Sequence, residues 1–309
     1  MMKKSFLALL LCAALLVCCA PAFAAERLSI VTTIFPEYDF VRAVTGGNAD
    51  ITMLIKPGAE SHSYEPSPMD IVTIRSCDVF VCVGGENDSW AQKILESVGE
   101  DSIRVIRLMD IVNALEEEMS ESMQAEEEEE EETEYDEHVW TSPVNAMEIV
   151  TRIAETLAEV DPEHAEEYIA NAAAYNAGIS EVDEEIRAIV AESPRRELIV
   201  GDRFPFLYFV REYGLEYDAA YPGCSTDAEA SAATVAALIN KVRNDDIHTV
   251  LYIELSAHHL ADTICEATGA KPLLLHSCHN VTKEEFDAGE TYVSLMRKNL
   301  DTLREALAE

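Results

Sequence analysis

Runs of β-branched and apolar residues alternate with helix-patterned stretches along this chain. From Leu28 to Ile34, LSIVTTI reads as a strand, and EYDFVRAVTGG follows as a helix that stops at Gly46-Gly47. The unit recurs as the strand ITMLI, a helix in PSPMDIVTIRS with proline in its first turn, and the strand DVFVCVGG. A helix over Trp90 to Val98 and the strand IRVIRL complete this half. After Pro194 the alternation resumes with ELIVG, FPFLYFVREYG, LEYDAAY, ASAATVAALINKVR, TVLYIEL, ADTICEATG and KPLLLHS, and a helix over Tyr292 to Ala308 closes the chain. Strand–helix alternation of this kind predicts α/β architecture: two Rossmann-like lobes, each a parallel sheet flanked by helices.

Two helices separate the halves. Pro143 opens an amphipathic one to about Val160, and a second runs from Asp161-Pro162 to Glu192, broken only by Gly178. At 1.5 Å per residue the second would be roughly 45 Å long, which suits a spine helix joining two lobes. The expected boundaries are therefore 25–160 for an N-terminal lobe, 161–193 for the linking helix and 194–309 for a C-terminal lobe.

The amino terminus departs from the pattern. Met-Met-Lys-Lys, an apolar run from Phe6 to about Cys19 and Pro21-Ala22-Phe23-Ala24 read as a signal peptide over residues 1–24, cleaved after Ala24. Cys18 or Cys19 offers a lipid anchor as the alternative. The run is shorter than the roughly 20 residues needed to cross a bilayer, so the mature chain is expected outside the cytoplasmic membrane, periplasmic or at the cell surface.

Charge narrows the partners. Asp and Glu number 59 against 22 Lys and Arg, which leaves no means of neutralising phosphates and argues against nucleic acid. Residues Glu116 to Glu137 concentrate the acid, with seven consecutive glutamates from Glu126 to Glu132, and predict a disordered surface loop. In an export setting Cys77, Cys82, Cys224, Cys265 and Cys278 can oxidise; Cys224 and Cys278 both follow predicted strands, where a disulfide or thiolate ligation is open to them, whereas Cys77 and Cys82 read as core.

Ligands in parallel α/β folds bind outside the carboxyl ends of strands, so histidines there are candidate metal ligands. His62 lies in SHSYEPSP after ITMLI, His138 where the acidic run meets Val139-Trp140, and His276 after PLLL, with Cys278 and His279 close behind. His164 reads as exposed on the spine, and His248, His258 and His259 as surface residues. Asp202, Glu229 and Glu254 are acids near strand ends that can supply an oxygen ligand.

The segments IVTTIFPEYDFVRAVTGG, PGAESHSYEPSPMDI, VCVGGENDSW, EHVWTSP and YVSLMRKNLDTL resemble the substrate-binding proteins of zinc and manganese ABC transporters over nearly all the mature length. The resemblance implies two lobes joined by one long helix with metal between them, and it carries His62 and His138 over as ligands. It places a third ligand in the segment reading GDRFPFLYF here, where Asp202 is the nearest candidate, and a last one at the position of His276. The acidic loop stands where zinc-binding relatives often carry a histidine-rich loop, which suggests a role in concentrating cations.

Three imidazoles with one carboxylate favour Zn2+ over Mn2+. The expected function is a monomeric, non-enzymatic binding protein that captures Zn2+ and delivers it to a membrane permease; the alternatives are a Mn2+-specific relative, a surface adhesin or metal chaperone, and a zinc hydrolase. Against the hydrolase, the chain has no H-E-x-x-H and no G-x-S-x-G.

Overall fold

The computed structural model describes residues 27–60, 64–98, 103–123, 134–224 and 230–308. The expected signal peptide, His62, Glu229 and the seven-glutamate run fall outside them.

Strands β1 (Leu28–Thr32), β2 (Ala49–Met53), β3 (Val79–Cys82) and β4 (Arg104–Arg107) form a sheet ordered β2-β1-β3-β4, parallel throughout. Strands β5 (Glu197–Phe204), β6 (Glu216–Pro222), β7 (Thr249–Tyr252) and β8 (Lys271–Leu274) repeat the arrangement as β6-β5-β7-β8. Parallel strands require crossovers that cover both faces, which is why the central β3, Val-Phe-Val-Cys, is buried at every position. In each sheet the order reverses beside the first strand, and that reversal opens a crevice at the carboxyl ends.

The helices are α1 (Phe35–Thr45), α2 (Pro68–Arg75), α3 (Ser89–Val98), α4 (Pro143–Val160), α5 (Ala165–Glu192), α6 (Leu207–Tyr213), α7 (Ala232–Asn244), α8 (His259–Thr268), α9 (Lys283–Ala288) and α10 (Tyr292–Ala306). The spine expected from the sequence is α5, 28 residues or roughly 42 Å. It starts at Ala165 because Asp161 makes a turn first: its carboxylate accepts from Tyr168 Oη at 2.7 Å and lies 2.7 Å from His164 Nδ1. The helix continues unbroken through Gly178, where an added Cβ would meet Val293 only at ordinary contact distance.

The spine touches both lobes. Asn171 donates to Val44 O at the end of α1, and Asp183 accepts from Tyr213 Oη at the end of α6. Between these points the buried Asp39 of α1 accepts from the Tyr292 amide at 2.7 Å and from Tyr175 Oη, joining α1, α5 and α10 through one carboxylate.

The described flanks of the acidic stretch, 116–123 and 134–137, differ from the expectation of a disordered loop over 116–137. They pack against the second lobe. Buried Asp218 of β6 accepts from Ser120 Oγ and Ser122 Oγ, both at 2.6 Å, and Arg211 of α6 pairs with Glu118. Tyr208 Oη donates to Asp136 O and accepts from the Leu115 amide, clamping the two sides of the excursion together. Interspersed serines and a partner carboxylate, absent from a simple charge count, hold these residues.

The segment expected to leave the sheet after ELIVG instead stays in β5 as far as Phe204, so Asp202 belongs to a strand end rather than to a helix-capping loop. At Gly201 an added Cβ would stand 2.7 Å from Ala261 Cα, so α8 packs directly on the strand backbone there. Gly201→Ala should therefore destabilise the protein by about 1–3 kcal/mol through overpacking, read as a lower urea midpoint with unchanged slope. An unchanged midpoint would contradict so close an approach.

Candidate metal centre

His138 heads the single 3-10 turn Val139–Thr141 that leads into α4, and it is 1% exposed. Asp136 fixes it twice: Oδ1 accepts from the His138 amide at 2.7 Å and lies 3.2 Å from ring Nδ1. With Nδ1–H directed at that carboxylate, the neutral ring carries its lone pair on Nε2, the arrangement of a carboxylate-oriented metal ligand. Burial alone would lower the imidazolium pKa; Asp136, Glu137 and Glu117 together outweigh it, so the pKa stands above its ordinary value. Gly223 is required beside the ring, since a Cβ there would meet His138 Cε1 at 3.2 Å and Phe204 O at 2.8 Å.

After β8 the chain turns through His276, Ser277, Cys278 and His279, with Cys278 in the left-handed region at φ 61°. Glu254, following β7, organises this turn: it accepts from the Ser277 amide at 2.7 Å, Ser277 Oγ at 2.6 Å and the His279 amide at 3.0 Å. The sequence offered Glu254 as an oxygen ligand; in the structure it scaffolds this turn and also lines the cavity that holds His138 and His279. The turn sends its two histidines in different directions.

The ring of His279 meets that of His138 edge to face with centroids 5.3 Å apart, and both pack on Trp140, at 5.1 and 5.4 Å. His138 comes from the first lobe and His279 from the second. They line a cavity of about 120 Å³ together with Gly58, Glu60, Arg203, Pro205, Gly223 and Asn280.

His276, expected to join His138, is placed elsewhere. Its Nδ1 accepts from the Cys278 amide at 2.9 Å, Asn299 holds its backbone N and O, both at 2.8 Å, and its buried Nε2 lies 3.9 Å from Glu285 of α9. Folding the ring back onto its own turn removes it from the cavity, which receives His279 instead. Asp202 is likewise displaced: it lines an adjoining cavity with His258 and His259, Oδ1 accepting from the Arg203 amide at 2.9 Å. Burial pushes its carboxyl up, and Ser256 and the Arg203 amide offset part of that rise. Among the described residues no three His, Cys, Asp or Glu side chains stand together in a metal-holding group.

The described cysteines are all free, so the pairing of Cys224 with Cys278 is not formed. Cys278 is fully buried, and burial followed by Glu254 pushes its thiol well up; burial followed by Asp136 does the same for Cys224. Both shifts favour the neutral thiol in the metal-free chain.

Behind His138 lie further carboxyls. Glu137 accepts from the Asn87 amide at 2.9 Å and Nδ2 at 3.1 Å, and Asp88 accepts from the Val83 and Gly84 amides. Burial pushes Asp88 to about 6, with Glu137 adding to the rise, while burial and then Asp88 push Glu37 up.

Sequence reading missed the part played by Trp140 and Asp136, and ranked His276 above His279. The aspartate two residues before His138 was the available signal for the first. For the second, alternation along the HSCH turn left the choice open.

Fold and site define a two-lobed α/β metal-binding protein with one histidine from each lobe at a shared cavity. The chain belongs to the family described as zinc-uptake complex component A, periplasmic, which matches residues 30–306. That family is one of metal-binding transport components, not enzymes, which removes the hydrolase alternative. The chain is 33% identical to the zinc-binding lipoprotein AdcA of Streptococcus pneumoniae over 99% of its own length but only 61% of that relative's. It is 30% identical to the high-affinity zinc uptake system protein ZnuA of Bacillus subtilis, covering 91% of this chain and 88% of the relative. The Zn(II)-bound ZnuA-like domain of S. pneumoniae AdcA superposes with a TM-score of 0.77 at 30% identity, covering 92% of this chain and all of that one.

The buried carboxyls predict a pH dependence. Asp88, at about 6 in the folded chain, binds its proton more tightly than in the unfolded chain, so its contribution to stability falls as pH rises from about 4 through 6. In metal-free protein, Asp88→Asn should shrink the loss of stability between pH 5 and pH 7 by roughly 1–3 kcal/mol, measured by urea unfolding at both pH values. A variant with the parent's pH dependence would contradict this.

Proposed function

We propose that the chain is the extracytoplasmic metal-capturing subunit of an ABC uptake transporter, binding Zn2+ between its lobes and passing it to a membrane permease. The observation that carries this reading is the approach of His138 and His279 from opposite lobes across one small cavity. His62, on the loop entered from that cavity's Gly58-Ala59-Glu60 wall, supplies the third imidazole, and an oxygen donor fills the fourth place. Asp202, one cavity away, stands beside the site rather than in it.

Ligand chemistry favours zinc. Three imidazoles and one oxygen suit a tetrahedral, borderline-soft cation, whereas Mn2+ prefers more oxygen. The relatives' names, zinc-binding lipoprotein and high-affinity zinc uptake protein, support the same choice. The signal-like residues 1–24 and a lipoprotein relative support export, with the mature chain acting as a monomer at the outer face of the cytoplasmic membrane. Among the described residues no helix is long and apolar enough to cross a membrane.

Competition titrations with a zinc chelator test the assignment. His62→Ala, His138→Ala and His279→Ala should each weaken zinc binding by about 100-fold or more, beyond the roughly 10–100-fold typical of outer-shell changes, while His276→Ala and Asp202→Ala stay within about 10-fold. Full affinity in the His279 variant with loss in the His276 variant would reverse the assignment.

A further inference from the structure

Cavity, turn and strand end meet at one side chain that the binding reading does not use. Asn280 follows His279 directly and is 3% exposed. Its Nδ2 donates to Lys56 O at 3.0 Å and to Ala59 O at 2.8 Å, and its Oδ1 accepts from the Val281 amide at 2.8 Å. Both amide hydrogens are thus committed to carbonyls of the other lobe, the full donor capacity of an asparagine.

The turn it holds is closed by the Ala59 amide donating to Lys56 O at 3.0 Å, with Gly58 at φ 82°. A second tie runs parallel: the Gly58 amide donates to Val281 O at 2.8 Å. On the rim, Glu60 pairs with Arg203 of β5 at 3.5 Å. The Asn280 fork, the Gly58–Val281 bond and the Glu60–Arg203 pair join residues 56–60 of the first lobe to the second lobe, and the first two engage the segment that carries His279.

We infer that Asn280 is a positioning residue that registers the 56–60 turn, which walls the cavity, against His279. The inference rests on the reading of His62, His138 and His279 as ligands. Asn280 touches no metal in this scheme. It sets the separation between the 56–60 turn and the His279 segment, which have no covalent link nearer than the whole intervening chain. A backbone-only tie such as Gly58 to Val281 fixes one point; the forked amide fixes two more and so defines the orientation of the turn as well as its distance.

The chemistry also explains why asparagine is required. Aspartate has the same size and keeps the bond from the Val281 amide, but it would set a carboxylate against two carbonyl oxygens. Alanine would remove both donations, leaving Lys56 O with only the Ala59 amide and untying Ala59 O from the second lobe.

The test compares Asn280→Ala and Asn280→Asp with His279→Ala and with Asn176→Ala. Asn176 makes the same kind of forked contact, to Met147 O and Thr151 Oγ1, both at 3.0 Å, but between α5 and α4, away from the cavity. Zinc affinity, zinc dissociation rate and the visible spectrum of bound Co2+ are measured for each.

Both Asn280 variants should bind zinc roughly 10–100-fold more weakly, as outer-shell changes do, release it faster and show an altered Co2+ spectrum. Asn176→Ala should lose thermal stability and keep parental affinity and spectrum. Parental affinity and spectrum in the Asn280 variants, with loss in His279→Ala, would overturn the inference and leave the site standing. Parental affinity in His279→Ala as well would overturn both. Equal weakening in Asn176→Ala would reduce Asn280 to general stability and overturn the positioning role.

Discussion

The hydrogen bond from the Trp140 indole to Ser277 O, 2.9 Å long and buried, is the constraint on which the site depends. Trp140 stands two residues after His138, and Ser277 two residues before His279. Joining them brings together two histidines far apart in sequence, one from each lobe. Tyr292 Oη donates to Trp140 O at 2.8 Å, so α10 holds the same junction from behind. A single buried hydrogen bond contributes only about 1 kcal/mol net, but an unmet indole N–H in this core would cost more, so the register is enforced by what its loss would expose.

The electrostatics around that junction work in one direction. Asp136, Glu137 and Glu117 hold the His138 pKa above its ordinary value, and burial holds the carboxyls of Glu37 and Asp88 above theirs. A region that retains protons in this way has a deficit of positive charge when it folds without metal. Under the proposed function a divalent cation competes with protons for the same imidazoles, so capture is expected to weaken as pH falls. Arg203, the basic side chain of the cavity lining, is drawn to Glu60 on the rim.

Much of this architecture was legible in the chain. Apolar strands such as VFVC, proline at helix starts and Gly46 at a helix end announce their elements through local chemistry, and both four-stranded sheets follow from their alternation. The spine followed from its uninterrupted length. The place of His138 at the cavity was legible because the residue after it begins a helix entrance. His279 was harder: in the turn HSCH, which ring faces the partner lobe is decided by the positive φ at Cys278, which a cysteine does not announce, and by Glu254 after β7, distant in sequence. The acidic run misled for the same reason, since its flanks are held by Asp218, Arg211 and Tyr208, all distant in sequence.

Asp202 shows how a plausible residue is set aside by geometry. It stands at a strand end, as a ligand should, but β5 continues past Gly201 with α8 packed hard against it, and Asp202 lines the neighbouring cavity with its Oδ2 buried.

The most direct test is an anomalous-difference map from zinc-loaded crystals recorded at the zinc absorption edge. The account predicts one interlobe peak within about 2.0–2.1 Å of imidazole nitrogens of both His138 and His279. A peak bound by His276, or one confined to a single lobe, would contradict it.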